Sequence, residues 1–222
     1  MAYPAGLGPY GLNPINLEGG RAFAGAIRKL PLLSGYTQNI GYGDLVGIAS
    51  TGTLVRIDTS FNAAKTAFAI APIGVFLGAS YVQDTGYKYP TFTQSWVSGT
   101  TFSGNGYGIV ADDPLIVMKA LVTNAGTAYT SGGATIAGIG ENIGYWLPTT
   151  PVNAATGDSA MSLDYSTKAT TATLPFRIVD VWRETMLSDG TFQEILVEFT
   201  APTISSTATV TTQATTSPFA VS

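Results

Sequence analysis

From Arg21 to Thr200 the apolar and β-branched residues come in short runs, each closed by Gly, Pro, Asn, Asp or Ser. Almost nowhere do apolar positions recur three and four residues apart, as an amphipathic helix requires. A chain written this way buries itself as sheet. Residues 43–50 (GDLVGIAS) and 53–58 (TLVRID) flank Thr51-Gly52 and predict a hairpin. Residues 62–71 (NAAKTAFAIA) form the one plausible helical turn, short and without strong caps. Residues 73–82 (IGVFLGASYV) predict a strand with Ile73, Val75, Leu77 and Tyr81 on one face, while Gly74 and Gly78 leave room for another backbone on the other. Strands are expected over 91–97, 107–111 and 115–122, with a bend at Asp113-Pro114. Residues 124–158 are loop-rich, too long for a plain connection, and should hide a small ribbon near 143–147. Two alternating strands, 176–183 and 191–200, close the domain around a turn at Ser188-Asp189-Gly190.

Regularly spaced short strands predict an all-β fold, an antiparallel β-barrel or sandwich with extended N- and C-terminal arms. Its interior should hold Val75, Leu77, Ile116, Met118, Phe176, Ile178, Ile195 and Val197. Phe199 should also face in, with Glu194 and Glu198 facing out. The 115–122 run is apolar on both faces, so its second face needs a cover, either a symmetry mate or an arm. The chain divides into a Gly/Pro-rich N-terminal arm over 1–20, a β-rich core over 21–200 and a Thr/Ser-rich C-terminal arm over 201–222. Pro4, Pro9 and Pro14 among glycines neither propagate a helix nor suit a sheet interior. The first arm is therefore expected to lie on a partner, anchored by Tyr3, Leu7, Tyr10, Leu12, Ile15 and Leu17. Ordering it costs roughly 1–2 kcal/mol per residue, which only burial of those side chains can offset.

Composition narrows the chemistry. The chain has no His and no Cys, so the commonest general base and metal ligand, thiol nucleophiles, zinc-thiolate sites and disulfides are all missing. A net charge of -4 argues against a nucleic-acid partner, which demands a basic stripe. No run of 18 apolar residues suggests a membrane span, and the first 20 residues lack the basic and apolar regions of a signal peptide. Asp112-Asp113 is the only adjacent carboxylate pair, but strand neighbours point to opposite faces, so a turn before Pro114 is the expected role. The glycine clusters 104–108 and 138–144 lack the helix, Lys and spacing of a phosphate loop and read as turns. Trp96, Trp146 and Trp182 could line a sugar-binding face, although core or interface positions are commoner for aromatics in β proteins. No catalytic, cofactor-binding or metal-ligating residue stands out, and no enzyme is expected.

Residues 74–100 (GVFLGASYVQDTGYKYPTFTQSWVSGT), followed by 107–121 (YGIVADDPLIVMKAL), resemble a family of head decoration (cement) proteins of tailed bacteriophages, especially those of aquatic bacteria. Arg28-Lys29-Leu30-Pro31 before Gly43-Asp44-Leu45-Val46 is similar to the family's N-terminal part. Gly157-Asp158-Ser159 through Leu163-Asp164, then Leu174-Pro175-Phe176-Arg177-Ile178-Val179, is similar to its C-terminal half. The likeness spans about residues 21–199; the two terminal segments depart from it. It implies a non-enzymatic protein without cofactors on the outer surface of a virion, binding the major capsid protein and cementing its neighbouring subunits. It transfers no catalytic residue. Another virion component, such as a tail-tube, head–tail or receptor-binding surface protein, is the alternative. Self-association is also expected, as a trimer ahead of a dimer, because the apolar and glycine-lined strands outnumber the polar faces.

Overall fold

The computed structural model describes residues 8–24, 27–58, 60, 70–84, 88–128, 136–170, 174–185 and 193–200. Their regular structure is strand almost throughout. In chain order the strands are β1 (Asn13–Leu17), β2 (Arg21–Ala22), β3 (Ile27–Pro31), β4 (Leu45–Ile48), β5 (Leu54–Arg56), β6 (Pro72–Gln83) and β7 (Pro90–Thr93). They continue with β8 (Phe102–Ala111), β9 (Ile116–Asn124), β10 (Thr127–Ala128), β11 (Asn142–Trp146), β12 (Ser162–Ala169), β13 (Phe176–Val181) and β14 (Glu194–Phe199). Single 3-10 turns lie at Ile136–Gly138 and Arg183–Thr185. The fold is all-β, as the punctuation of the sequence predicts.

Strands β12, β11, β13, β14 and β9 pair in that order, and β12 returns to β9 to close a five-stranded barrel. The closing seam is the parallel pairing of Leu163 with Val122 and Asp164 with Thr123. All other neighbours in the ring are antiparallel. Closure leaves these strands without a free edge along the seam. Ile116, Met118, Ala120 and Val122 of β9 share the buried core with Ile195 and Val197 of β14 and with Phe176, Ile178 and Val181 of β13. Ile143 and Tyr145 of β11 and Leu163 and Tyr165 of β12 complete it. Val181 stays in phase with Ile178 across an odd separation because the β13–β14 register shifts between Ile178 and Asp180.

The second sheet runs β3-β8-β6-β4-β5, with β7 on β6. One end of it rests on the barrel: Leu45, Val75 and Ala111 belong to the barrel's core. Its other face has a core of its own, built from Val46, Leu54, Phe76, Ala79, Tyr81, Trp96, Phe102 and Val110. Buried on both faces at that end, β6 and β4 read as unbroken apolar runs. Gly74 and Gly78 admit backbone as expected, since a Cβ would lie 2.3 Å from the Ala111 carbonyl oxygen at Gly74 and 2.8 Å from that of Thr93 at Gly78.

Several expectations need correction. Val75 and Leu77 face the barrel, but Ile73 and Tyr81 pack against the second core. Register shifts next to Ile73 and between Phe76 and Gly78 invert the alternation that would have put all four on one side. Gly104-Asn105-Gly106 lies inside β8 and is no turn between strands. There β6 advances from Ser80 to Val82 while β8 covers Tyr107 to Ser103, so the glycines form a bulge. Strand β12, absent from the sequence reading, supplies the barrel seam. The helical turn expected over 62–71 and the Ser188-Asp189-Gly190 turn lie outside the described residues, apart from Ile70 and Ala71.

The largest correction concerns the N-terminal segment. Residues 13–17 form β1, which sits between β9 and β2 in the barrel's sheet. Pro14 is tolerated because the register shifts between Pro14 and Asn16, where a bulge releases the ladder from needing its missing N–H. Leu12 is fully buried in the barrel's core. Strand β1 thus extends the sheet along one edge of β9, and Tyr10, ahead of it, lies against Lys119 on the outer face of β9.

Candidate functional site

Of the six expected anchors, Tyr3 and Leu7 lie outside the described residues. The other four are engaged by their own chain. Leu12 is buried, Ile15 and Leu17 are half-buried in β1, and the Tyr10 hydroxyl donates to the Glu194 carboxylate. Leu12 is therefore corrected from partner contact to core residue, because its burial within the monomer leaves nothing to present.

Glu194 is the second correction. Alternation places it opposite Ile195, outward, yet it is buried beneath Tyr10 and Trp182. Lys119, on the outer face of β9, lies 3.1 Å from its carboxylate. The Lys119 ammonium also sits 5.1 Å from the Trp182 ring centre and 5.8 Å from that of Tyr10. Burial first, and then the Glu194 carboxylate, push the Tyr10 phenol far above its ordinary 10.0. A phenol held protonated in this way is a poor base at neutral pH; the cluster clamps residues 10–12 onto the barrel. The readable signal was that Lys119 is the one charge inside the apolar β9 run.

A second polar node lies where four segments cross. Asp44 is fully buried, accepting the Gly41 N–H at 2.7 Å and the Ser159 hydroxyl at 2.5 Å. Around it Leu12 N–H donates to the Gly43 carbonyl, Gly43 N–H to that of Phe76, and Ser159 N–H to that of Tyr42. Gly43 has φ +87°, and a Cβ there would sit 2.7 Å from the Tyr10 carbonyl oxygen. Only glycine lets the backbones approach this closely. Burial raises the Asp44 carboxyl to about 6, against the opposing effects of its two hydrogen bonds and the Arg56 guanidinium. The node ties residues 11–12, 41–45, 76 and 157–161 together.

Asp112 and Asp113 behave as turn residues. Asp112 pairs with Arg28, and Asp113 Oδ1 accepts the Leu115 N–H at 2.9 Å. Trp96 is buried, in edge contact with Tyr81 at 5.5 Å and Phe102 at 6.0 Å, so it is a core residue and not part of a sugar platform. Trp146 and Trp182 are half-buried. Among the described residues no three acidic side chains converge as a metal cluster would require.

What the chain does present is a set of exposed apolar side chains near one end of the second sheet. The barrel end of the second sheet carries Val75 and Ala111; the opposite end carries Gln83 and Phe102. Around that distal end Phe92 is 70% exposed, Val97 63%, Tyr89 58% and Leu33 51%. Two of these lie on loops bonded to each other, Gly35 N–H to the Thr100 carbonyl at 2.9 Å and Gly99 N–H to the Tyr36 carbonyl at 2.8 Å. Phe92 ends a row with Ser80, Tyr107 and Pro31 across β7, β6, β8 and β3, so it is held by a sheet. The Tyr81–Trp96–Phe102 aromatic group lies within the same end of the sheet. The sequence reading placed Phe92 and Val97 in an expected strand over 91–97, which ends at Thr93, and singled out none of the four, because register alone decides which end of the sheet they share.

Comparison of the chain with protein-family models, with curated proteins and with solved structures finds no match in any of the three.

Proposed function

We propose that this chain is a non-enzymatic structural protein of a tailed-bacteriophage virion, bound to the outside of the capsid, where it cements neighbouring major capsid subunits. The observation that carries the reading is the exposure of large apolar side chains near one end of the second sheet, where Leu33, Tyr89, Phe92 and Val97 are all more than half exposed. The resemblance of the ordered motifs between residues 21 and 199 to head decoration proteins supports a capsid as the surface it meets. Low charge, 11% of residues, fits the role because flat contacts then bury few ions.

Magnitudes favour an assembly. Full burial of a large apolar side chain is worth roughly 1.5–3 kcal/mol, and these four begin partly covered, so one copy contributes only a few kcal/mol. Association costs an estimated 4–15 kcal/mol in lost freedom. A lone copy would bind weakly. A trimer presenting three such ends at once gains by effective concentration, which is why self-association belongs to the same proposal.

The experiment mixes purified protein with capsids lacking it, then measures position and copy number by electron microscopy. Hundreds of copies on the outer shell are expected. A Phe92→Ser, Val97→Ser double variant should keep its urea midpoint yet bind at least about tenfold more weakly, the change that follows from about 1.4 kcal/mol. Full occupancy by that variant would remove these side chains from the contact. A few copies confined to the neck or tail would replace the decoration role with another virion part.

A further inference from the structure

An asparagine followed by glycine is prone to internal imide formation, because no side chain shields the next backbone nitrogen. Asn105-Gly106 is the one such pair in the chain. Its place in the fold leaves that chemistry open. The pair sits in the β8 bulge, where β6 advances from Ser80 to Val82 while β8 runs from Tyr107 to Ser103. Residues 104–106 thus face Tyr81 alone, and Asn105 has no register partner in β6 or in β3. Gly104, just before it, has φ +72°. Asn105 is exposed, and among the described residues no hydrogen bond holds its side chain. We propose that Asn105 is a self-modification site, converted in water to aspartate and isoaspartate with the Gly106 backbone nitrogen as the nucleophile.

The step balances with water as the only co-reactant. The Gly106 nitrogen gives its proton to solvent base and attacks Asn105 Cγ. The N–Cγ bond forms, the Cγ–Nδ2 bond breaks, and the side-chain nitrogen takes a proton and leaves as ammonia. Water then opens the five-membered imide at either carbonyl. One opening leaves aspartate; the other leaves isoaspartate, whose backbone is longer by a methylene. A bulge accepts that extra length because its residues already lie outside the ladder. Glycine at 106 has its own reason in packing, since a Cβ there would lie 2.4 Å from the Phe102 ring.

Three other asparagines show the contrast. Asn13 precedes Pro14, which has no N–H to attack with. The amide after Asn39, that of Ile40, donates to the Trp96 carbonyl at 3.0 Å. The amide after Asn124, that of Ala125, donates to Asp164 Oδ1 at 3.0 Å. Each conversion at Asn105 adds a negative charge to a chain of net charge -4, at the end of the second sheet that carries Phe92. Asp84, whose carboxylate accepts the Ser103 hydroxyl at 2.6 Å, stands beside it. That end therefore grows more acidic as the protein ages.

The test ages purified full-length protein at mildly alkaline pH and follows it by peptide mass mapping and ammonia release. The peptide holding residue 105 should gain about one dalton, the difference between an amide and an acid. Isomerisation of an aspartate leaves mass unchanged, so the gain reports asparagine. Its rate should rise with pH, because the attacking nitrogen must lose its proton. The same chain in urea gives the unshielded rate, and the folded chain should convert within about tenfold of it. An Asn105→Gln variant, whose imide ring would be six-membered, should lose at least about tenfold in rate at that position. Mapping reads the parent chain directly, so the result stands whether or not the variant folds. A folded chain slower than that limit, or a gain at Asn124 and none at residue 105, overturns the proposal. Equal ageing of the parent and a folded Asn105→Gln variant overturns it too. None of these outcomes depends on capsid binding.

Discussion

Asp44 offers the sharpest test of the packing argument. It is fully buried, and burial raises its carboxyl from 3.8 to about 6 despite hydrogen bonds from Gly41 and Ser159 and the field of Arg56. Its folded-state affinity for a proton thus exceeds its unfolded-state affinity. Stability from this group is complete below the unfolded value near 3.8, is lost as pH rises towards 6, and is constant above that. The difference of about two pH units corresponds to roughly 3 kcal/mol, since one unit is worth about 1.4. Asp44→Asn removes the titration while its carbonyl still accepts the Gly41 N–H. The new amide then faces the Ser159 oxygen, which already accepts the Met161 N–H at 3.0 Å. Losing an acceptor for the Ser159 proton costs about 1 kcal/mol. The variant should therefore be slightly less stable than the parent at pH 4 and more stable, by about 2 kcal/mol, at pH 7.5. Urea melts of both proteins across that range check it, and other carboxylates cancel in the difference between the two curves. A gap that stays constant within about 0.5 kcal/mol from pH 4 to 7.5 would refute the account of Asp44 as a buried ion held at a cost.

Two further substitutions probe how the N-terminal segment is held. Leu12→Ala should lose about 2–5 kcal/mol by urea melt, the usual cost of emptying a fully buried Leu site; a loss under about 0.5 kcal/mol would return residues 10–17 to the status of a loose arm. Gly43→Ala should destabilise by several times more than Gly52→Ala. Both glycines have positive φ, +87° and +79°, but only Gly43 has backbone within 3 Å of the added methyl, while Gly52 has nothing within 4 Å. Gly52→Ala then reports the left-handed strain alone, roughly 1–2 kcal/mol. Equal losses at both sites would show that the crossing of segments at Gly43 has slack.

Residue chemistry by itself determined the class of fold and much of its interior. Val75, Ile116, Met118, Phe176, Ile178, Ile195 and Val197 all lie in the barrel's core, where alternation put them, and Leu77 packs against it. The hairpin of β4 and β5 around Gly52 and the ribbon at Asn142–Trp146 were legible for the same reason: strand period and turn chemistry act over a few residues. Asp113 likewise needed only its own neighbours to cap the turn at Leu115. Tertiary structure alone decided the rest. Whether Ile73 and Tyr81 face the barrel depends on bulges, and a bulge is fixed by the partner strand, not by the strand that carries it. Strand β12 reads as polar because Ser162, Asp164 and Thr167 spend their hydrogen bonds inside, on Thr123, Ala125 and Gly144, and its parallel seam with β9 joins residues about 40 apart. Pro14 seemed to bar its segment from a sheet until a bulge in β1 removed the need for its N–H. The exposed apolar side chains belong to the same group. Leu33, Tyr89, Phe92 and Val97 come near one end of the second sheet through long-range register, which no local pattern of residues encodes.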